Sequence, residues 1–276
     1  MLQEQLDKLI QNNFATNLQG LLVLELSPNQ LSICIIDQLS GEIKVCSKTE
    51  LSNKNIENYI QSLETILSHN ALNKSFKKVS VLVNTEKTML IPEALFNSEN
   101  KEDTIKDILN KDINDLLIHS SVKGVGTVCA FYFNKNVYAL LIRKFPNVKI
   151  KSIQEKALEL STQINSETFL FAYCNTEKLH IVVKQHRNLL LSNCYSIKTN
   201  EDAAYYIYFV LEQLKMSQEN TKLILSGTFA NTNALVDLLK RYSRLVELHV
   251  NTNSNYTAFD STELKPEERV HLINEV

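Results

Sequence analysis

The 276-residue chain is 44% hydrophobic and has a net charge of −2, with Lys and Arg interspersed among Asp and Glu. It therefore has no basic stripe of the kind a phosphate backbone requires, and nucleic acid is not an expected partner. No stretch approaches the roughly 18 apolar residues of a membrane-crossing helix, and the start, Met1-Leu-Gln-Glu-Gln-Leu-Asp-Lys, has neither the basic nor the apolar region of an export signal.

The five cysteines, Cys34, Cys46, Cys129, Cys174 and Cys194, are odd in number, form no Cys-x-x-Cys pair and sit in apolar runs. Such thiols serve as small core residues in a reducing compartment, so the cytoplasm is the expected location. Gly and Pro are scarce, at five and four, so turns fall to Asn, Asp and Ser, as at Asn84, Asn134, Asn136, Asn175, Asn188 and Asn231.

In chain order, residues 1–13 read as a polar, frayed segment or at most one helical turn. Leu21–Leu26, Leu31–Ile36 and Glu42–Ser47 are three short apolar runs separated by turn residues, a three-stranded meander. Ser52 or Asn53 then caps a helix with Ile56, Ile60, Leu63 and Leu67 on one face, and Val79–Val83 reads as a strand buried on both faces. Met89-Leu-Ile-Pro and the charged stretch Glu99–Asp115 predict an inserted strand and helix, with Ile105, Ile108 and Leu109 as the helix's buried stripe. Val128–Phe133 is a strand, Val137–Lys144 a short helix, Val148–Ser152 a strand and Ile153–Ile164 a linking helix.

The first pattern then repeats. Thr168–Tyr173, Leu179–Lys184 and Leu189–Tyr195 form a second meander, and Thr199 or Asn200 caps a helix carrying Ala203, Ile207, Val210, Leu211 and Leu214. Leu223–Leu225 is a buried strand, Asn231 opens a helix through Tyr242, and Leu245–Val250 closes with a strand. Two copies of strand-strand-strand-helix-strand-helix-strand make mixed sheets covered by helices. The tail from Leu264 to Val276 is acidic with a sparse apolar stripe, either a packed helix or disordered.

This duplicated plan resembles the actin, hexokinase and heat-shock-70 ATPase superfamily, and within it the branch typified by PilM and FtsA. The stretch from Val128-Cys-Ala-Phe-Tyr-Phe to Ile153-Gln-Glu-Lys-Ala-Leu-Glu-Leu is similar to the middle of that branch. Leu90-Ile-Pro-Glu-Ala-Leu-Phe, Thr199-Asn-Glu-Asp-Ala-Ala-Tyr-Tyr and Leu223-Ile-Leu-Ser-Gly resemble an uncharacterised bacterial family of unknown function with an actin-like ATPase fold. The resemblance implies an α/β chain with a duplicated ribonuclease-H-like fold, two mixed-sheet domains flanking a cleft. It divides the chain into a polar segment at 1–13, a first half at 14–160 with an insertion at about 85–120, and a second half with a tail at 161–276.

The resemblance also says where phosphate chemistry belongs: a short Asp-x-Gly-type turn in the first hairpin of each half. Here the first hairpin reads Leu24-Glu-Leu-Ser-Pro-Asn-Gln-Leu, so Glu25 and Ser27 stand in for the acid and the hydroxyl, glycine is missing, and Pro28 removes a donor. The second reads Ala172-Tyr-Cys-Asn-Thr-Glu-Lys-Leu, offering Asn175 and Thr176 but neither Asp nor Gly. The adenine-side loop keeps Gly227 and Thr228. The competing reading of Glu25 is an ordinary strand-end polar residue, and of the Gly227 loop a plain strand-to-helix turn.

Both phosphate loops are thus degraded. The expected function is a non-catalytic binding or assembly scaffold with a protein partner, no cofactor and no metal. The alternative is an active switch holding ATP and Mg²⁺ through Glu25, Ser27, Asn175, Thr176, Gly227 and Thr228. A nuclease would need further converging carboxylates. The rings of Tyr205, Tyr206, Tyr208 and Phe209 either pack between the sheet and a neighbour or form a partner-binding patch.

Overall fold

The apolar runs form strands whose alternate residues feed two different cores, and that alternation organises the molecule. The computed structural model describes residues 2–11, 20–37, 39–73, 75–97, 99, 102, 105, 108–175, 177–186, 188–249, 268 and 271–272.

In the first half, β1 (Gly20–Ser27), β2 (Gln30–Asp37), β3 (Ile43–Glu50), β4 (Lys78–Val83) and β8 (Lys149–Ser152) form one sheet in the order β3-β2-β1-β4-β8. In the second half, β9 (Thr168–Asn175), β10 (Lys178–Gln185), β11 (Asn188–Ser196), β12 (Lys222–Gly227) and β13 (Val246–Leu248) form another in the order β11-β10-β9-β12-β13. Each has an antiparallel meander followed by two parallel strands. The two sheets therefore share both strand order and direction, as the repeated sequence pattern predicts.

A third sheet, β5-β7-β6, is built from β5 (Thr88–Pro92), β6 (Asp115–Val122) and β7 (Thr127–Asn134). The α-helical elements among the described residues are α1 (Leu2–Gln11), α2 (Ile56–Leu67), α3 (Lys135–Lys144), α4 (Ile153–Thr162), α5 (Asn200–Gln213) and α6 (Thr232–Leu239), with short 3-10 turns at Asn70–Leu72 and Glu93–Leu95.

Short polar side chains start these helices. Asn55, rather than Ser52 or Asn53, caps α2 by accepting from the Asn58 amide at 2.8 Å. Thr199 and Asp202 form a reciprocal capping box at α5, and Asn231 caps α6.

Leu22, Leu24 and Leu26 of β1 face a core shared with α1, α2 and α3. On the second sheet, Leu170, Ala172 and Cys174 of β9 face a core with α5 and α6. The intervening residues, Leu21 and Val23 on β1 and Phe169, Phe171 and Tyr173 on β9, meet in one further core between the sheets, with α4 and Leu272 packed into it. The central strands are buried on both faces for this reason, and their sequences read as continuous apolar runs. The five cysteines form no disulfide.

Three stretches depart from expectation. Residues 2–11 form a full helix whose Leu2 and Leu6 enter the first core, an amphipathic pairing at i and i+4 hidden among polar neighbours. No helix occupies the described part of Glu99–Asp115: Ile105 is buried, Leu109 is partly buried, and Ile108 is 64% exposed. Lys87 instead bridges Asp112 and Asp115, and the chain turns at once into β6, paired along β7. The helix opened by Asn231, α6, ends at Leu239 rather than Tyr242.

Phe171, fully buried between the sheets, tests whether the two halves cohere. Phe171→Ala is expected to cost about 3–5 kcal/mol and to lower both halves together in a single urea transition followed by far-UV circular dichroism. Two separated transitions would mean that the halves fold independently.

Candidate functional site

The alternation that fills the middle core also brings two polar residues face to face. Glu25 lies two residues beyond Val23 on β1, and Asn175 lies two beyond Tyr173 at the end of β9, so both stand on the inward-facing rows of their central strands, with only Ser27 following Glu25. Glu25 is 3% exposed and Asn175 is 6% exposed. The Asn175 side-chain amide donates to Glu25 Oε1, and His271 Nε2 donates to Glu25 Oε2. Each carboxylate oxygen thus has its own partner, one from the second half and one from the C-terminal segment.

Burial pushes the Glu25 carboxyl up. The charge of His271 and its hydrogen bond, the Lys48 ammonium and the Asn175 amide outweigh burial and hold the group below the ordinary carboxylate range. The neighbouring rings are dry. The Tyr173 ring lies 5.1 Å from His271 and 6.0 Å from His180, and its hydroxyl is pushed well up by burial and by the charge of Glu25. Burial and the Lys178 charge take His180 down to about 4, which keeps it neutral near neutral pH.

Gly227 and Thr228 line the second-half side of this layer. Gly227 has φ +94°, and a Cβ there would stand 2.0 Å from the Cys174 carbonyl oxygen. That close approach lets β12 run alongside β9 until the Thr228 amide donates to the same carbonyl at 2.8 Å. Lys48 on β3 donates to Thr228 Oγ1 at 3.0 Å, a second tie between the halves. Ser27 sits at the end of β1, where its hydroxyl accepts from the Asn84 amide at 3.4 Å and its carbonyl from the Tyr59 hydroxyl at 3.2 Å.

Glu25 and Asn175 are therefore in direct contact, and Gly227 and Thr228 reach them through Cys174 and Lys48. Ser27 lies apart at the rim, and Thr176 falls outside the described residues. Lys48 and His271 carry no motif, and His271 stands 246 residues from its partner, so sequence reasoning had no signal for either.

Outside the buried layer, a cavity of about 450 Å³ opens between the halves, lined by Ser27, Pro28, Asn84, Glu86, Glu177 and Lys178. Lys178 crosses this mouth to pair with Glu86 and donates to Ser196 Oγ at 2.8 Å. A more apolar cavity of about 400 Å³ adjoins it, under Tyr59, Val83, Phe133 and Val137.

Two measurements check this geometry. A carboxyl held below its usual value of 4.5 stabilises the fold above that pH, and the contribution is lost as falling pH protonates it. Glu25→Gln is expected to flatten the acid limb of a stability-versus-pH profile, whereas His271→Ala leaves the carboxylate short of a partner and costs about 3–5 kcal/mol at pH 7. Gly227→Ala meets both the carbonyl and a left-handed backbone, and is expected to cost about 2 kcal/mol or more in urea denaturation.

Comparison with known proteins agrees with this architecture. A crystal structure from Bacteroides thetaiotaomicron of a protein with actin-like ATPase fold and unknown function superposes with a TM-score of 0.70 at 22% identity, covering 84% of this chain and 91% of that one. The PilM–PilN type IV pilus biogenesis complex superposes with a TM-score of 0.59 at 12% identity, covering 91% of this chain and 96% of that one. No curated protein matches. Among the described residues no helix is long and apolar enough to cross a membrane. A model of the family described as protein of unknown function, DUF3822, matches residues 10–246. The chain belongs to that family and has the actin-like ATPase fold.

Proposed function

We propose that this protein is a non-catalytic actin-like scaffold of the cytoplasm that binds a protein partner and does not use ATP. The observation that carries the reading is the saturation of Glu25, whose two carboxylate oxygens are held by Asn175 and His271 in a fully buried layer.

Magnesium-bound ATP needs an acid with an open oxygen and backbone amides in the hairpin turns. Here Pro28 contributes no amide, Glu86 and Glu177 put carboxylates at the mouth, and Lys178 is already paired with Glu86. These residues do not fit the group.

A protein partner finds support in two places. One structural relative forms a complex with PilN. On this chain, a ladder of rings runs from Tyr195 on β11 to α5: Tyr195 stacks on Tyr206 at 4.5 Å, Tyr205 meets Tyr206 at 5.2 Å, and Tyr205 stacks on Phe209 at 5.9 Å. Tyr205 is 62% exposed and Phe209 37% exposed, whereas Tyr208 turns inward and donates to the Leu239 carbonyl at 2.8 Å. Exposed aromatic clusters of this kind are favoured contact residues.

The test is a thermal-shift and calorimetric titration with MgATP and MgADP, using Glu25→Gln as the control for the buried layer. A flat response at millimolar nucleotide is expected. A saturable rise of a few degrees in the native protein, as mass action requires of a ligand that binds only the folded state, would overturn the scaffold reading in favour of a nucleotide-dependent switch.

A further inference from the structure

Away from the cleft, Lys184 is a buried cation with no anion paired to it among the described residues. It lies near the end of β10, opposite Phe169 on β9 and Leu189 on β11, beside the bulge that follows Val183. Its side chain is on the same face of the sheet as His180 and Val182, so it points toward the layer that holds α4, and only 7% of the residue is exposed. Among the described residues its side chain makes no hydrogen bond or ion pair. Burial pushes its amine below the ordinary lysine value.

The polar groups around the cavity turn elsewhere. At the end of α4, the Gln163 and Ile164 amides take the Leu160 and Ser161 carbonyls at 3.1 and 3.4 Å. The hydroxyls of Ser161 and Thr162 donate to Leu158 and Glu159 carbonyls at 2.6 and 2.7 Å. Glu167 is turned to solvent, its side chain 89% exposed, with its carboxylate 3.9 Å from His186 Nδ1. A buried charge left in this condition is costly.

Lys184 also lines a largely polar cavity of about 780 Å³, within the range of small-molecule sites. Gln163, Asn165 and His186 bring side-chain donors to the same space, and Ile164 and Phe169 give it an apolar wall.

We propose that this cavity binds a small organic carboxylate, with Lys184 as its charge partner and the Gln163 and Asn165 amides and the His186 ring as donors to its oxygens. A carboxylate fits better than a phosphate. One buried cation balances one negative charge, Glu167 at the rim opposes a second, and the apolar wall suits a hydrocarbon body. The site lies on elements separate from Glu25 and does not depend on the scaffold reading.

The experiment is calorimetry and thermal shift on the full chain with sodium acetate, butyrate and benzoate, set against sodium chloride of equal ionic strength and against inorganic phosphate. Saturable binding of butyrate or benzoate is expected. Lys184→Met should melt higher than the native protein without ligand and lose the response. Gln163→Glu, at the exposed end of α4, should weaken binding about tenfold by placing a second carboxylate near the first, without touching the core. Carboxylate should also protect Lys184 from amine acylation mapped by mass spectrometry. No saturable response to any carboxylate, a response undiminished in both variants, or a response to phosphate alone would overturn the proposal.

Discussion

A carboxylate buried between two sheets must be satisfied on every side, and the way Glu25 is satisfied constrains the rest of this structure. Asn175 comes from the second half, His271 from the C-terminal segment, and the carboxylate itself from the central strand of the first half. Removing any one leaves a polar group buried without its partner, so the three parts of the chain are held in one arrangement. Lys48 reaching Thr228, and Lys178 reaching Glu86, extend that tie from the buried layer to the surface.

The duplicated sheets explain why such a layer exists. Each central strand is apolar on both faces, so each sheet must be covered twice: once by its own helices and once by the other half through α4. The third sheet and α1 break the symmetry and belong to the first half only. In an actin-like ATPase fold the space between the halves is where chemistry is expected. Here Phe169, Phe171, Tyr173, Leu272 and the Glu25 cluster pack into the layer between the sheets, and a cavity of about 450 Å³ opens at its mouth.

Polar groups in this molecule are therefore informative by contrast. Glu25 is buried and doubly bonded, a structural clamp. Lys184 is buried, its ammonium has no partner among the described residues, and it faces a cavity. The same desolvation acts on both, and what separates them is whether the fold supplies a partner.

The strands, the duplication and most helices were legible in the amino-acid order because they depend on local periodicity: continuous apolar runs, turns rich in Asn and Asp, and capping residues such as Thr199 and Asn231. Local pattern failed where a distant partner overrides it. Asp115 closes the charged stretch, and the residues up to Val122 carry His and Ser among apolar neighbours with no clear period, yet Asp115–Val122 becomes a strand by pairing with β7. Ile108 reads as core and is exposed, and the described residues around it are not helical. In the candidate site, the sequence marked Glu25, Asn175 and Gly227 by their places in the two hairpins and the adenine-side loop. Whether Glu25 faces a ligand or a side chain depended on His271, 246 residues away. Lys48 and Lys184 likewise looked like any strand lysine. Sequence alone determined the repeated strands of the two halves and the faces they bury. Only the tertiary structure decided which charges meet a partner, because electrostatic pairing in a desolvated layer depends on distances between segments that share no local pattern.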